Sequence, residues 1–388
     1  MGRLALAAVT ALATAFGQTC ALAEGEWETT PESERAARLG LQWLAANQGR
    51  AGNWESDDLG LVSVGALAFL SAGHMPGRGR YGDNVRRSLD FVISNAKPSG
   101  LLNISSHRRD MYNHGLSIFV LTQAYGVTQD KRIAKLLDKG LKLIANCQCE
   151  DGGWDYEARR QRSGHDLSLA VMQAKALRGA MDIGFEIEPR TIKLAIKSVR
   201  EHYKVTGRGR TRGGSAESVA DMPGQFTYDG NRATTAMAAA GVVCLQEFGK
   251  YDDFRIRHSI DAVIHDMQQG GMRRETGKVP FDAYTLYYVS QALYQVGGER
   301  WRRNYPTLRD AIVRAQRTAG SVGERGSWDA GSHVGGAPGR LFGTSVAVFA
   351  LCIPNRYLPI LQQAYLDPRS QAGPPAAGAD APRSPAKP

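Results

Sequence analysis

The sequence predicts an all-α protein, a closed ring of six helix pairs. Three observations lead there. A Gln followed by a Gly-x-Trp element recurs at intervals near fifty residues. Amphipathic and almost wholly apolar helical segments alternate along the chain. Strand signals are scarce. The chain has 388 residues, 43% of them hydrophobic, enough for a sizeable core.

The repeat is clearest at Trp43-Leu44-Ala45-Ala46-Asn47-Gln48 with Gly52-Asn53-Trp54, and at Leu143-Ile144-Ala145-Asn146-Cys147-Gln148 with Gly152-Gly153-Trp154. A third copy runs from Ala311 to Gln316 and on to Gly326-Ser327-Trp328 across a longer loop. Two copies are degraded. Lys97 takes the Gln position before Gly100 and Leu102, and Gln268 precedes Gly270-Gly271-Met272. Anchor positions 48, 97 and 148 lie 49 and 51 apart, 268 and 316 lie 48 apart, and the gap of 120 between 148 and 268 holds one further repeat with a long insertion. That repeat has a helix at 189–204 and a loop at 205–230, and it lacks both Gln and Trp unless Phe226 replaces the Trp. The repeats read as about 32–83, 84–130, 131–188, 189–254, 255–304 and 305–366.

Before each anchor lies an amphipathic segment, as in Ile133 to Ile144, where apolar residues at helical spacing alternate with lysines. After each lies an apolar one: about 58–72, 110–125, 166–181, 231–248, 282–296 and 341–352. No single pair can bury its apolar face, so pairs must share a core, and closure removes the ends that an open array has to cap.

The termini stand apart. Arg3, the apolar run Leu4 to Phe16 and Ala21-Leu22-Ala23 read as an export signal over residues 1–23, leaving Glu24 first. A lipoprotein reading at Cys20 lacks the expected aliphatic residue three positions earlier. Export implies a periplasmic or extracellular location, and no later stretch is long enough to span a bilayer. Residues 367–388, rich in Pro, Ala, Gly and Ser, are expected to be disordered. Of the net charge of +10, much sits in loops, including Arg108/Arg109, Arg208/Arg210/Arg212, Arg273/Arg274 and Arg300/Arg302/Arg303. This is either solvated loop charge or a rim for an anionic surface. No nucleic-acid motif accompanies it. Cys147 and Cys149 lack the partners of a zinc site, so no metal is expected.

The Gln and Gly-x-Trp spacing resembles the QW repeat of squalene and oxidosqualene cyclases. The two-helix unit resembles the wider group that includes protein prenyltransferase β subunits. The chain as a whole is similar to bacterial prenyltransferase and squalene oxidase repeat proteins. The resemblance covers about residues 32–366 and implies an α/α toroid, an (α/α)6 barrel with a central cavity. Gln48, Trp54, Gln148, Trp154, Gln268, Gln316 and Trp328 are then fold residues. A Gln can serve orphan backbone groups at helix ends, with the Trp ring over its amide and the N–H outward.

The chemistry that the resemblance implies is not matched by motif. No Asp-x-Asp-Asp is present; Glu55-Ser56-Asp57-Asp58 is the nearest string, either an acid cluster or a helix start favoured by the dipole. Asp282-Ala283-Tyr284 puts Tyr where the prenyltransferase zinc ligand Cys would stand. His114 and His165-Asp166 open two inner helices and read as an acid/base pair or as helix-end polar residues. Tyr284, Tyr287 and Tyr288, with Tyr112, are candidates for an aromatic cavity wall or for core packing. Asp57, Asp58, His114, His165 and Asp166 are therefore the catalytic candidates, and no cofactor is implied. The expected function is cavity binding of an apolar or polymeric ligand outside the cytoplasm. A divergent terpene cyclase using an acidic cluster, an interaction scaffold with a filled centre, and a carbohydrate-active α/α barrel stay open beside it.

Overall fold

The computed structural model describes residues 27–164, 166–205, 222–271, 281–321, 323–331 and 338–366. The predicted export signal, most of the long insertion and the C-terminal tail lie outside them. Twelve helices pair in sequence. The outer ones are α1 (Pro31–Asn47), α3 (Gly82–Ser94), α5 (Lys131–Cys147), α7 (Pro189–Glu201), α9 (Phe254–Asp266) and α11 (Gly298–Arg314). The inner ones are α2 (Leu59–Ser71), α4 (Asp110–Thr128), α6 (Leu167–Asp182), α8 (Thr235–Glu247), α10 (Ala283–Val296) and α12 (Gly339–Cys352). Each inner helix packs on the next, and α12 returns to pack on α2 and α1, so the ring closes.

The two layers differ as their composition demands. In α5 only one stripe is buried, including Ile133, Leu137, Leu141 and Ile144. In α2 every residue except Leu61 is buried, because it meets neighbours on all sides. Four inner helices start on a side-chain cap: Asp58, Asp166, Thr234 and Asp282 accept from Leu61 N (3.0 Å), Ser168 N (2.9 Å), Met237 N (3.2 Å) and Thr285 N (2.9 Å).

The Gln and Trp side chains form a repeated clamp. Gln148 Nε2 donates to Gly152 O in its own loop (3.0 Å) and to Thr191 O in the first turn of the next outer helix (3.0 Å). Gln48 does the same to Gly52 O (3.2 Å) and Asn84 O (2.9 Å). Gln316 reaches Gly326 O (3.0 Å) and Ala36 O in α1 (2.9 Å), joining the last outer helix to the first. The indole N–H groups turn inward rather than outward. Those of Trp54, Trp154 and Trp328 donate to Leu44 O (2.8 Å), Ile144 O (2.9 Å) and Ile312 O (2.7 Å), carbonyls in the last turn of the preceding outer helix. Carbonyls in the last turn of a helix lack the usual donor four residues on, which is why a buried donor is stable there, and Ile312 O also accepts from Ala315 N (3.2 Å). Gln268 is exposed, and its side chain makes no hydrogen bond to a described residue.

The loop glycines are required by the same geometry. Gly152 has φ 95°, and a Cβ there would lie 2.1 Å from Leu194 O of α7. Gly52, φ 90°, meets the Arg87 carbonyl of α3 at 2.5 Å.

The degraded fourth repeat uses a different device. Where a helix to 204 and then a loop at 205–230 were expected, α7 ends at Glu201 and strand β1 (Tyr203–Val205) pairs antiparallel with β2 (Gly224–Phe226), Tyr203 opposite Phe226. Phe226 is fully buried, and a Cβ on Gly241 of α8 would lie 2.1 Å from its ring. Trp54 meets Gly65 of α2 in the same way, at 2.7 Å. Phe226 thus occupies the place of the Trp without its N–H bond.

At the inner-helix C-termini the axis of the ring is filled, with a side pocket of about 290 Å3 between the ends of α2 and α4. Helix α13 (Pro359–Leu366) packs on α4 and α6, Ile360 N donates to Gln123 Oε1 (3.1 Å), and Tyr294 OH donates to Leu361 O (2.7 Å). Above it Lys175 is almost wholly buried. It bonds Gln291 Oε1, pairs with Glu247 at 3.4 Å, and lies 4.2 Å from the Phe119 ring centroid. Burial lowers its pKa, and Glu247 opposes that shift.

Two stability predictions follow from this packing. Gly152→Ala should lose about 2–5 kcal/mol in denaturant unfolding, from the left-handed φ and the backbone collision together. Gly184→Ala, with φ 88° and open space around it, isolates the first part at about 1–2 kcal/mol. Glu247→Gln should cost about 3–5 kcal/mol by leaving the ammonium group buried without its counter-charge, and Lys175→Met combined with Glu247→Leu should recover most of it.

Candidate functional site

At the opposite end, the N-terminal turns of the inner helices surround an open cavity of about 530 Å3. Asp58, Gly60 and Leu61 come from the start of α2, Tyr112, Asn113 and Leu116 from α4, Met172 from α6, and Tyr284 from α10. Pro338 and Phe342 close the wall at α12, and Arg108 and Arg109 stand in the turn before α4. The interior is mainly apolar at Leu61, Leu116, Met172 and Phe342, with phenol hydroxyls above it.

Those hydroxyls form two groups. Tyr112 OH and Tyr284 OH lie 3.2 Å apart. Tyr156 OH donates to Asp166 Oδ2 (2.6 Å) and lies 2.6 Å from Tyr228 OH. Tyr112 and Tyr156 stack with centroids 5.9 Å apart. Burial raises all four phenol pKa values. They stay protonated at neutral pH and serve as hydrogen-bond donors and acceptors, not as bases.

The candidates from sequence divide between this cavity and the core. Asp58 lines the cavity, but one oxygen caps α2 and the other holds Arg109. Asp57 is exposed beside it and outside the lining. Asp166 is buried; it caps α6 through Ser168 N and anchors Tyr156, so it touches the cavity through that phenol. His165 lies outside the described residues. His114 is away from the cavity, fully buried between α4 and α5. Its Nδ1 accepts from Leu102 N (3.2 Å) and its Nε2 donates to Gly140 O (3.0 Å), so the neutral ring is fully used. Tyr112 and Tyr284 face the cavity. Tyr287 and Tyr288 belong to the layer beneath, Tyr288 OH reaching Met172 Sδ (4.0 Å) and Tyr287 packing on Phe349. Cys147, Cys149, Cys244 and Cys352 are free and buried. Among the described residues no group of three or more His, Cys, Asp or Glu is placed to hold a metal ion, and no helix is long and apolar enough to cross a membrane.

Tyr156 and Tyr228 were missed from sequence, yet a signal exists. Each lies two residues after the ring residue of its loop, Trp154 or Phe226. The carbonyl at this offset accepts from the first turn of an inner helix: Met111 N to Tyr156 O (3.0 Å), Leu167 N to Tyr228 O (3.1 Å), and Ala283 N to Ala330 O after Trp328 (2.8 Å). The offset therefore brings its side chain to the mouth.

The chain matches no protein-family model. No curated protein is similar to it at significance. Solved structures are similar in fold. Cellobiose 2-epimerase from Bacillus thermoamylovorans superimposes with TM-score 0.56 at 12% identity, covering 83% of this chain and 98% of its own. The type II terpene cyclase MstE from Scytonema, in complex with geranylgeranyl dihydroxybenzoate, gives 0.54 at 10%, covering 84% and 98%. An inactive variant of an α-1,6-mannanase from Salegentibacter, in complex with α-1,6-mannotriose, gives 0.53 at 11%, covering 84% and 98%. At such identities the likeness establishes the fold: this is an α/α toroid protein, with the architecture shared by terpene cyclases and by sugar-converting enzymes.

The placement of His114 yields a pH prediction. Burial lowers its pKa from 6.5 to about 4. As pH falls through 6.5 the unfolded chain takes a proton that the folded chain refuses until about pH 4. Stability should therefore fall across that window by up to about 3 kcal/mol and be complete above it. His114→Gln should flatten this slope in urea titrations run at each pH; an unchanged slope would assign it elsewhere.

Proposed function

We propose that this protein is an exported α/α toroid that binds, in its central cavity, one ligand with a substantial apolar body. The observation that carries this reading is the cavity itself, with an apolar floor at Leu116, Met172 and Phe342 beneath a ring of neutral phenols. Its volume falls within the roughly 300–1,000 Å3 of small-molecule sites. The apolar floor favours a compact apolar body over one stretch of a polar polymer, since burying sugar hydroxyls there would leave them unpaired. The phenols and Asn113 would meet oxygen atoms at the upper end of the ligand. Export rests on the character of residues 1–23.

Native mass spectrometry of the protein purified from its own host tests both parts. The expected outcome is a chain beginning at Glu24 that carries an adduct extractable into organic solvent. The adduct should vanish in Leu116→Trp, which fills the cavity. A chain that stays bare and takes up no added lipid would overturn the binding reading. An oligosaccharide adduct would replace it with the carbohydrate alternative.

A further inference from the structure

Resting on the cavity reading above, we propose that the ligand is an anionic amphiphile, a carboxylate or phosphate on an apolar chain, with its head bound by Arg108 and its chain directed to the floor. Among the described residues, the charged ones that line the cavity are Asp58, Arg108 and Arg109, two cations and one anion. Asp58 and Arg109 are engaged with each other. The carboxylates next in line are also occupied: Asp166 by Tyr156 and Ser168, and Asp110 by Asn103 Nδ2 (2.6 Å), Ala158 N (3.3 Å) and His107 Nδ1 (3.4 Å). Arg108 is exposed at the mouth, and its guanidinium makes no ion pair or hydrogen bond with a described residue. Among the described lining residues it is the charge left without a counter-charge.

Some surface arginines are answered by neighbours, while others, such as Arg38, Arg50 and Arg302, are exposed on open surface without an ion pair to a described residue. Arg86 meets Asp83 and Asp90, Arg300 meets Asp261, and Arg303 meets Glu299. Arg108 differs in standing over a low-polarity hollow, where a charge pair is screened less than on open surface. A guanidinium presents parallel N–H groups that match the two oxygens of a carboxylate or phosphate. The position also orients the ligand. The cation lies at the lip, in the turn His107–Arg109, whereas Leu116 and Met172 lie more than one helical turn inside α4 and α6. An anion that settled at the floor would lose its hydration without gaining a partner. A neutral chain would leave Arg108 no worse solvated but would gain nothing from it.

Calorimetric titration with four probes separates the parts: dodecanoate, dodecyl phosphate, dodecanol below its solubility limit, and inorganic phosphate. Both anionic amphiphiles should bind at least about tenfold tighter than dodecanol, the scale of one charge-assisted contact. Arg108→Gln, an exposed substitution, should bring them to the level of dodecanol and leave dodecanol unchanged. Inorganic phosphate alone should bind far more weakly than dodecyl phosphate. Equal binding of dodecanol and dodecanoate, or a preference that survives Arg108→Gln, would sink the inference while leaving the cavity reading intact. Free phosphate binding as tightly as dodecyl phosphate would reduce the site to an anion site. Failure of all the chain-bearing probes would overturn the cavity reading itself.

Discussion

The ring depends on the amide clamp between neighbouring outer helices. Inner helices such as α2 and α8 are covered in small and apolar side chains, and burial of that surface favours any compact arrangement. It sets no direction. The Gln48, Gln148 and Gln316 amides do, because each is shared between its own loop and the first or second turn of the next outer helix. A donor that bonds two carbonyls from different units fixes their spacing to within a few tenths of an ångström. The Gln316 bond to Ala36 makes this a closing condition, since it ties the last unit to the first across 280 residues.

The cavity is a consequence of that closure. The inner helices point their N-terminal turns to one end and their C-terminal turns to the other. At the C-terminal end large or charged groups fill the axis: Lys175, Glu247, Gln291 and the α13 segment. At the N-terminal end the axis is lined by short, capped first turns, with Gly60 and Asn113 in close approach, so space remains. Carboxylates collect there for a backbone reason. The first N–H groups of each helix need acceptors, and Asp58, Asp166 and Asp282 supply them. Their role as caps limits what else they can do, and the chemistry of the mouth passes to the phenols and to arginine.

The likeness to both terpene cyclases and sugar-converting enzymes fits this division of labour. The clamps and caps belong to the architecture and tolerate any lining. The lining comes instead from side chains of the first inner turns and from the loop positions two residues beyond Trp154 and Phe226. In this chain the corresponding loop positions carry Tyr156 and Tyr228 in two loops and Ser56 and Ala330 in two others, so the loops add phenols to one side of the mouth only.

The helical pairs were legible in the sequence because their signals are local. Amphipathic period, Gly-x-Trp elements and Asp at helix starts all act within one or two turns, and they mark the six inner helices to within about four residues. The clamp residues were legible as structural for the same reason, although the direction of the indole N–H was not, since its acceptor lies ten or sixteen residues back along the chain. The site was legible only in part. Tyr112, Tyr284 and Asp58 carry the mark of an inner-helix start. His114 carries it too, yet faces α5, because one step along a helix turns a side chain by about 100°. The Asp166 to Tyr156 to Tyr228 chain and the isolation of Arg108 join segments up to 72 residues apart. Such contacts are set by how far each unit is rotated about the ring, and no pattern within one unit encodes that. The sequence alone thus determined the units and their order, while the tertiary structure decided which of their polar groups meet, because a ring brings together side chains that the chain keeps apart.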